Sequence, residues 1–366
     1  MHPLNPHPEP NPTMAKPTAT SVKRRSYGFL PNGDEVDAWS LVGAGGLELE
    51  VITYGGIVTR LMAPDHGGVV KDVVLGFDTL DGYLNPENHM MGATTGRVAG
   101  RITRGELLIH GRLHQLPLNE PPNHLHGGTD ALHSKVWSAT VVERDDGAPS
   151  LKLRYRSCDG ESGHPGNVDL AVIYTVSADN EFVYETHAHS DQDCPISLAH
   201  HSYFNLAGED HGSILDHLLQ VASDETIPFT DNFTLLDRRE SVADSGSDLR
   251  CARKIGDYIV GTMRQHGDLY WLGDDLKLRR VARLVDEASR RCLSVSTTHG
   301  CLQLYSGAFM PAGLIGKSGR NYQPYSGFCL ETGEYPNACK LKGFGNILVA
   351  PGKPQHHVTV YAFSTV

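Results

Sequence analysis

The chain lacks the marks of several common protein classes. Its seven cysteines, at 158, 194, 251, 292, 301, 329 and 339, form no C-x-x-C pair. Zinc ribbons and dithiol redox centres are thereby disfavoured, and an odd count without a secretory leader favours reduced thiols and a cytoplasmic location. Long apolar runs are missing. The longest stretch free of Asp, Glu, Lys and Arg, Cys292 to Gly316, carries Ser, Thr, His, Gln and Gly that lipid would leave unsatisfied. Positive charge is in deficit. Lys plus Arg number 32 against 43 Asp plus Glu, a net charge of −11, which argues against nucleic acid or an anionic membrane as partner. There is no G-x-S-x-G, no G-x-G-x-x-G after a strand and no G-x-x-x-x-G-K-[ST], which removes the simplest hydrolase, dinucleotide and NTPase readings.

Helical signals are equally scarce. No long window holds an apolar stripe at i, i+3, i+4, i+7. Only Asp78–Tyr83 and Arg253–Tyr258 read as short helical turns. Strand–helix alternation is absent, which argues against a doubly wound sheet, and no fixed-period repeat points to a propeller or solenoid.

What the sequence does contain is turn chemistry and short strands. Gly numbers 39 and Pro 21, enough for many tight turns, and apolar residues at 39% can fill a sizeable core. Between the Gly, Pro, Asn and Asp clusters lie strand candidates such as Glu48–Tyr54, Glu106–Ile109, Ser150–Ser157, Glu181–Ser190, Ile196–His201, Arg283–Asp286 and His356–Phe363. The β-branched and aromatic bias of Ala171–Val176 fits a strand. A length of 366 residues admits two or three domains, but large all-β folds run as one, and no linker stands out between residues 26 and 366. The expected architecture is an all-β fold, one large antiparallel β-sandwich. Residues 1–25 are rich in Pro and poor in large apolar groups, and read as a disordered extension with no signal peptide.

Histidine is abundant, 20 in all. His124/His126 and His187/His189 are H-x-H pairs, and on a strand each could present two imidazoles to one point. A metal centre on His124/His126 needs a Glu shortly after; Gly127–His133 supplies none. His200 and His201 are adjacent, so on a strand at most one serves a given site. Glu331 ends the apolar run Phe328-Cys329-Leu330. Burial there raises a carboxyl toward the range of a general base, and His201 is the natural acid to pair with it. From the residues alone the reading stops at a β-rich protein with a His/Glu acid–base pair.

Several segments, in order, resemble the aldose 1-epimerase family. Gly92-Ala93-Thr94-Thr95-Gly96-Arg97-Val98-Ala99-Gly100-Arg101-Ile102 resembles G-A-x-x-G-R-x-A-N-R-I, and Asn123–Gly128 resembles N-x-L-H-G-G. His201–Gly208 reads H-S-Y-F-N-L-A-G, Gln303–Gly307 resembles Q-x-Y-[ST]-G, and Cys329–Thr332 with Pro336-Asn337-Ala338 resembles C-L-E-T-x-x-x-P-[DN]-A. The resemblance implies a supersandwich of the galactose mutarotase type and an isomerase that interconverts α and β anomers without metal or other cofactor. It implies Glu331 as general base and His201 as general acid. His126, Arg101 and Gln303 match substrate-binding positions, and Asp268, in Asp268-Leu269-Tyr270-Trp271, is the best match to a fourth. The implied partner is a monosaccharide such as glucose or galactose, bound by a monomer or homodimer, with Trp137 or Trp271 as possible stacking platforms. Gly100, His200, Lys340 and Gly333-Glu334-Tyr335 depart from the family pattern. They leave room for an isomerase or cyclase acting on another cyclic hemiacetal, or for sugar binding without turnover.

Overall fold

Apolar side chains recur at every second position along most segments, and this period selects strands. In Glu181–Ser190, Phe182, Tyr184, Thr186 and Ala188 are buried while the residues between them reach the surface. The computed structural model describes residues 19–262 and 267–366. Among these, three antiparallel sheets carry the architecture.

The largest has nine strands. Its order is Ser138–Val142, Ser150–Ser157, Val168–Val176, Glu181–Ser190, Gln355–Thr365, Arg291–Thr297, Arg279–Val285, Leu218–Val221 and Arg253–Lys254. A six-stranded sheet runs Tyr203–Phe204, Phe328–Gly333, Cys301–Tyr305, Leu269–Trp271, Glu225–Ile227 and Glu240–Ser241. The third sheet has five strands between Ser21 and Asp72.

One core joins them. The nine-stranded sheet sends in Leu153, Val172, Phe182, Val295 and Tyr361; the six-stranded sheet sends Tyr270, Leu302, Leu304, Phe328 and Leu330; the five-stranded sheet sends Leu49, Val51 and Leu61. Each large apolar side chain withdrawn from water contributes roughly 1.5–3 kcal/mol. The result is the expected all-β sandwich. Ser150–Ser157, Glu181–Ser190 and Glu106–Ile109 are strands with the expected bounds.

Some expectations need correction. The strand expected at Arg283–Asp286 is Arg279–Val285; its two leading arginines and a bulge between Arg280 and Ala282 mask the alternation. The helical turns shift to Leu80–Leu84 and Ile255–Thr262. Of Ile196–His201 only Ala199–His200 is a strand, paired with Thr94–Thr95. The boundary expected at Arg25 also moves. Ser21–Phe29 pairs with Glu35–Val42, Arg24 meets Asp37 at 2.9 Å and Arg25 meets Glu50 at 2.8 Å. A backbone ladder orders this segment although its own apolar content is small. Residues 1–18 of the expected extension lie outside the described residues. No helix among the described residues is long and apolar enough to cross a membrane.

Candidate active site

The six-stranded sheet has two faces, and its alternation sorts the site. In Phe328–Gly333, Phe328 and Leu330 enter the core, so Glu331 points the other way. In Cys301–Tyr305, Leu302 and Leu304 enter the core, leaving Cys301, Gln303 and Tyr305 on the second face. These residues line a cavity of about 510 Å³, together with Arg101, Glu120, His126 and His201. That volume suits a small organic ligand.

Three side chains converge there. His201 Nε2 lies 3.5 Å from Glu331 Oε1. The His126 and His201 rings meet edge to face with centroids 5.2 Å apart. Solvent reaches 8% of His126 and 5% each of His201 and Glu331. Burial therefore dominates their electrostatics. It pushes Glu331 up to about 8, against a smaller lowering by the Arg101 charge. It holds His201 down to about 4, and it drives His126 well below the ordinary imidazole value, with His201 and Arg101 adding to the effect.

Backbone geometry positions His126. Its φ is +51°, and the Gly100 N–H donates to its Nδ1 at 3.1 Å. With Nδ1 accepting, the neutral ring carries its proton on Nε2. Gly100 itself has φ +80°, and a Cβ there would stand 2.8 Å from Pro336 Cγ. The departure at Gly100 thus has a local reason: the left-handed turn against Pro336 admits only glycine without strain.

Arg101 is held by Glu120 through two hydrogen bonds of 2.6 and 2.7 Å, and its guanidinium lies 5.0 Å over the Phe233 ring. Sequence reasoning passed over Glu120, whose only signal was its place shortly before Asn123-His124-Leu125-His126. Phe229, Phe233 and Phe309 also line the cavity. They sit outside regular strands, where no periodicity marked them. Gln303 faces the cavity too, with Nε2 donating to the Leu304 carbonyl at 2.6 Å and the Asp268 carbonyl at 3.3 Å.

Asp268 is not brought to the site as expected. Leu269 lines the cavity, so its neighbours Asp268 and Tyr270 turn inward. The Asp268 carboxylate accepts from Ser247 Oγ at 2.7 Å and Tyr258 OH at 2.9 Å. The tryptophans are elsewhere as well. Trp137 is in the main core, its indole donating to the Leu132 carbonyl at 3.2 Å, and Trp271 packs on Phe344 and Arg239.

The adjacent histidines divide as expected. His201 enters the cavity, while His200 sits among Phe182, Tyr184 and Tyr361 in the core. The pair His124/His126 does not converge: His124 turns to the Pro117 carbonyl at 2.7 Å and to His164 at 3.3 Å. The chain leaves strand geometry between them, so the two-residue rule no longer applies. Lys340 hydrogen-bonds the Thr103 carbonyl at 3.3 Å, away from the cavity lining. Among the described residues, three groups of His and Glu bring potential ligand atoms within 4.8 Å of one another: His126/His201/Glu331, Glu185/His187/His356 and His299/Glu334/His357.

A pocket on a β-sandwich, with the buried Glu331 carboxyl 3.5 Å from His201 Nε2 and the His126 ring packed against His201, holds the groups for proton transfer to a small ligand. Comparison with known proteins narrows this. Residues 37–362 match the family model of aldose 1-epimerase. The chain is 35% identical over 346 residues to the galactose mutarotase of Rattus norvegicus, covering 94% of this chain and 99% of that one. It is 28% identical over 345 residues to the aldose 1-epimerase of Escherichia coli, covering 92% and 97%. A solved aldose epimerase homologue from C. elegans superposes with a TM-score of 0.81 at 26% identity, covering 95% and 100%. The chain belongs to the aldose 1-epimerase family. Its reaction is the interconversion of aldose anomers, and the non-sugar and non-catalytic alternatives are not favoured.

Proposed function

We propose that Glu331 and His201 together open and reclose the ring of an aldopyranose such as galactose or glucose. Glu331 takes the proton of the anomeric hydroxyl while His201 gives one to the ring oxygen. The C–O bond of the hemiacetal breaks, and the aldehyde turns about C1–C2. The ring then closes on the other face with the proton roles reversed. Positioned acid and base groups each contribute about 10²–10⁴ in rate. His126 Nε2–H is free to donate to a substrate oxygen, and Arg101, braced by Glu120, offers charge-assisted bonds to hydroxyls. The observation that carries the reading is the 3.5 Å approach of His201 to Glu331 inside a cavity.

Between about pH 4 and 8 this pair holds one proton in total. Ring opening uses the pair as carboxylate and imidazolium and leaves it as carboxyl and imidazole, the form that ring closure uses, so a single proton on the pair serves both steps. That is the complement both half-reactions need. Seven unpaired cysteines support a reducing, cytoplasmic setting.

The test is polarimetry of freshly dissolved α-D-galactose and α-D-glucose. The protein should speed relaxation to the anomeric equilibrium, and Glu331→Gln or His201→Gln should slow it by about 10²-fold or more. Relaxation no faster than in buffer, or full activity in Glu331→Gln, overturns the assignment.

A further inference from the structure

The strand Phe328–Gly333 carries a second functional side chain on the face that holds Glu331. With Phe328 and Leu330 in the core, Cys329 and Glu331 share the opposite face, two residues and about 6.5 Å apart along the strand. Cys329 is buried and does not line the cavity, although its register partners Tyr203 and Tyr305 do. A buried free cysteine is ordinarily a small apolar filler, and Cys329 does belong to the apolar cluster of Leu75, Tyr203 and Met310. Its sulfur also makes a polar contact that filling space does not need.

The Cys329 Sγ lies 3.7 Å from His201 Nδ1, while Glu331 Oε1 lies 3.5 Å from Nε2 of the same ring. One strand therefore meets both nitrogens of the imidazole. The rest of the histidine is fixed as well. The His201 N–H donates to the Ala93 carbonyl at 3.0 Å, and its carbonyl accepts from the Gly92 N–H at 2.9 Å. The His126 and Tyr203 rings flank the imidazole, each at a centroid distance of 5.2 Å.

The role of the sulfur follows from where the protons must be. The shared proton moves between Glu331 and Nε2, and ring opening passes it from Nε2 to the ring oxygen of the sugar. In each of these states Nδ1 keeps its own hydrogen. The imidazolium carries both, and the neutral ring that takes a proton on Nε2 during closure must carry its hydrogen on Nδ1. Nδ1 thus needs an acceptor at every stage. A thiol sulfur is a weak acceptor without charge. Burial, with the Glu331 charge adding to it, holds the Cys329 thiol well above its ordinary value, so it stays S–H at neutrality. A neutral acceptor suits an acid that has to give its proton up; a carboxylate in this place would hold the imidazolium form more tightly. The His201 carbonyl favours the protonated ring too, but it already accepts from Gly92.

We propose that Cys329 is a positioning residue for the epimerase reaction. Its sulfur accepts from His201 Nδ1–H and so keeps Nε2 as the nitrogen that trades protons with the sugar and with Glu331. This role rests on the proposed pairing of His201 with Glu331.

The test compares three substitutions in the full chain, each checked for folding by its melting temperature. Cys329→Ala removes the acceptor, Cys329→Val fills the space without one, and Cys329→Ser keeps an acceptor on a smaller side chain. With α-D-galactose followed by polarimetry, the Ala and Val variants should each lower kcat at least about fivefold with KM within about twofold, and the Ser variant should recover most of the loss. A filler gives the reverse order, with Val best and Ser worst. A second measurement needs no variant at this position. In ¹⁵N NMR of the parent labelled at histidine, with His201 assigned by its loss in His201→Gln, Nδ1 should be protonated at pH 7. A bare Nδ1 in the parent overturns the proposal. So does kcat within about twofold of the parent in both the Ala and Val variants, a Ser variant no better than the Ala variant, or an effect confined to KM. Glu331→Gln in the same assay separates the two readings. If it is inactive while the Cys329 variants are unimpaired, the role of Cys329 falls alone. If it keeps full activity, the proton-transfer pair is wrong and the role of Cys329 falls with it.

Discussion

Replacing Glu331 by Gln should make the protein harder to unfold while it abolishes turnover. The cause is the cost of burying an ionisable carboxyl with no cation in contact. Glu331 is 5% exposed, and its folded pKa is raised from 4.5 to about 8. At pH 7 the unfolded carboxyl is ionised, so folding must return a proton across a gap of about two and a half pH units. At ~1.36 kcal/mol per unit this costs about 3 kcal/mol at pH 7, but only about 1 kcal/mol at pH 5. The sign follows from proton counts. Between 4.5 and about 8 the folded state holds more protons at this position than the unfolded state. Stability from this group therefore falls as pH rises. Glutamine has nearly the same shape and no such titration. Any fixed effect of the amide cancels in the pH trend, and the opposite contribution of His201 is common to both proteins. Urea unfolding of the two proteins at pH 5, 6, 7 and 8, followed by tryptophan fluorescence, measures the difference. The variant should gain about 2–3 kcal/mol over the parent between pH 5 and 7. A difference flat across that range refutes the reasoning, because it means that Glu331 is not desolvated.

Further outcomes follow from the same geometry. The profile of kcat/KM against pH should be a bell, falling above about 8 as Glu331 loses the proton the pair shares, and below about 4 as His201 gains a second; stopped-flow polarimetry checks this. Gly100→Ala should cost about 1 kcal/mol or more in stability and lower kcat/KM several-fold, because Ala resists φ +80° and displaces the donor to His126; Ala tolerated at full activity contradicts this. Glu120→Gln should raise KM several-fold with kcat within about twofold, because Arg101 loses its brace and not its charge. Asp268→Ala should lower the melting temperature, by unpairing Ser247 and Tyr258, yet leave KM for galactose unchanged; a raised KM in the folded variant would bring Asp268 back to the sugar.

The sequence by itself settled the kind of fold, because a two-residue period of apolar groups between turn formers can be satisfied only by strands with one buried face. It also singled out Glu331, His201, His126 and Arg101, each in a motif whose order along the chain is distinctive, and the fold brings these four to one cavity. Asp268 was misread. Its match rested on residue type in a short segment, and a one-residue change of phase sends a side chain to the opposite face of a sheet. Glu120, the cavity phenylalanines and the His299/Glu334/His357 cluster were not legible for a related reason. Their members are far apart in sequence or lie in irregular segments, so only the packing of two sheets brings them together. Protonation was the last thing that tertiary structure decided. A glutamate and a histidine have ordinary titrations until burial on all sides makes charge expensive, and neither composition nor motif records how much water is excluded.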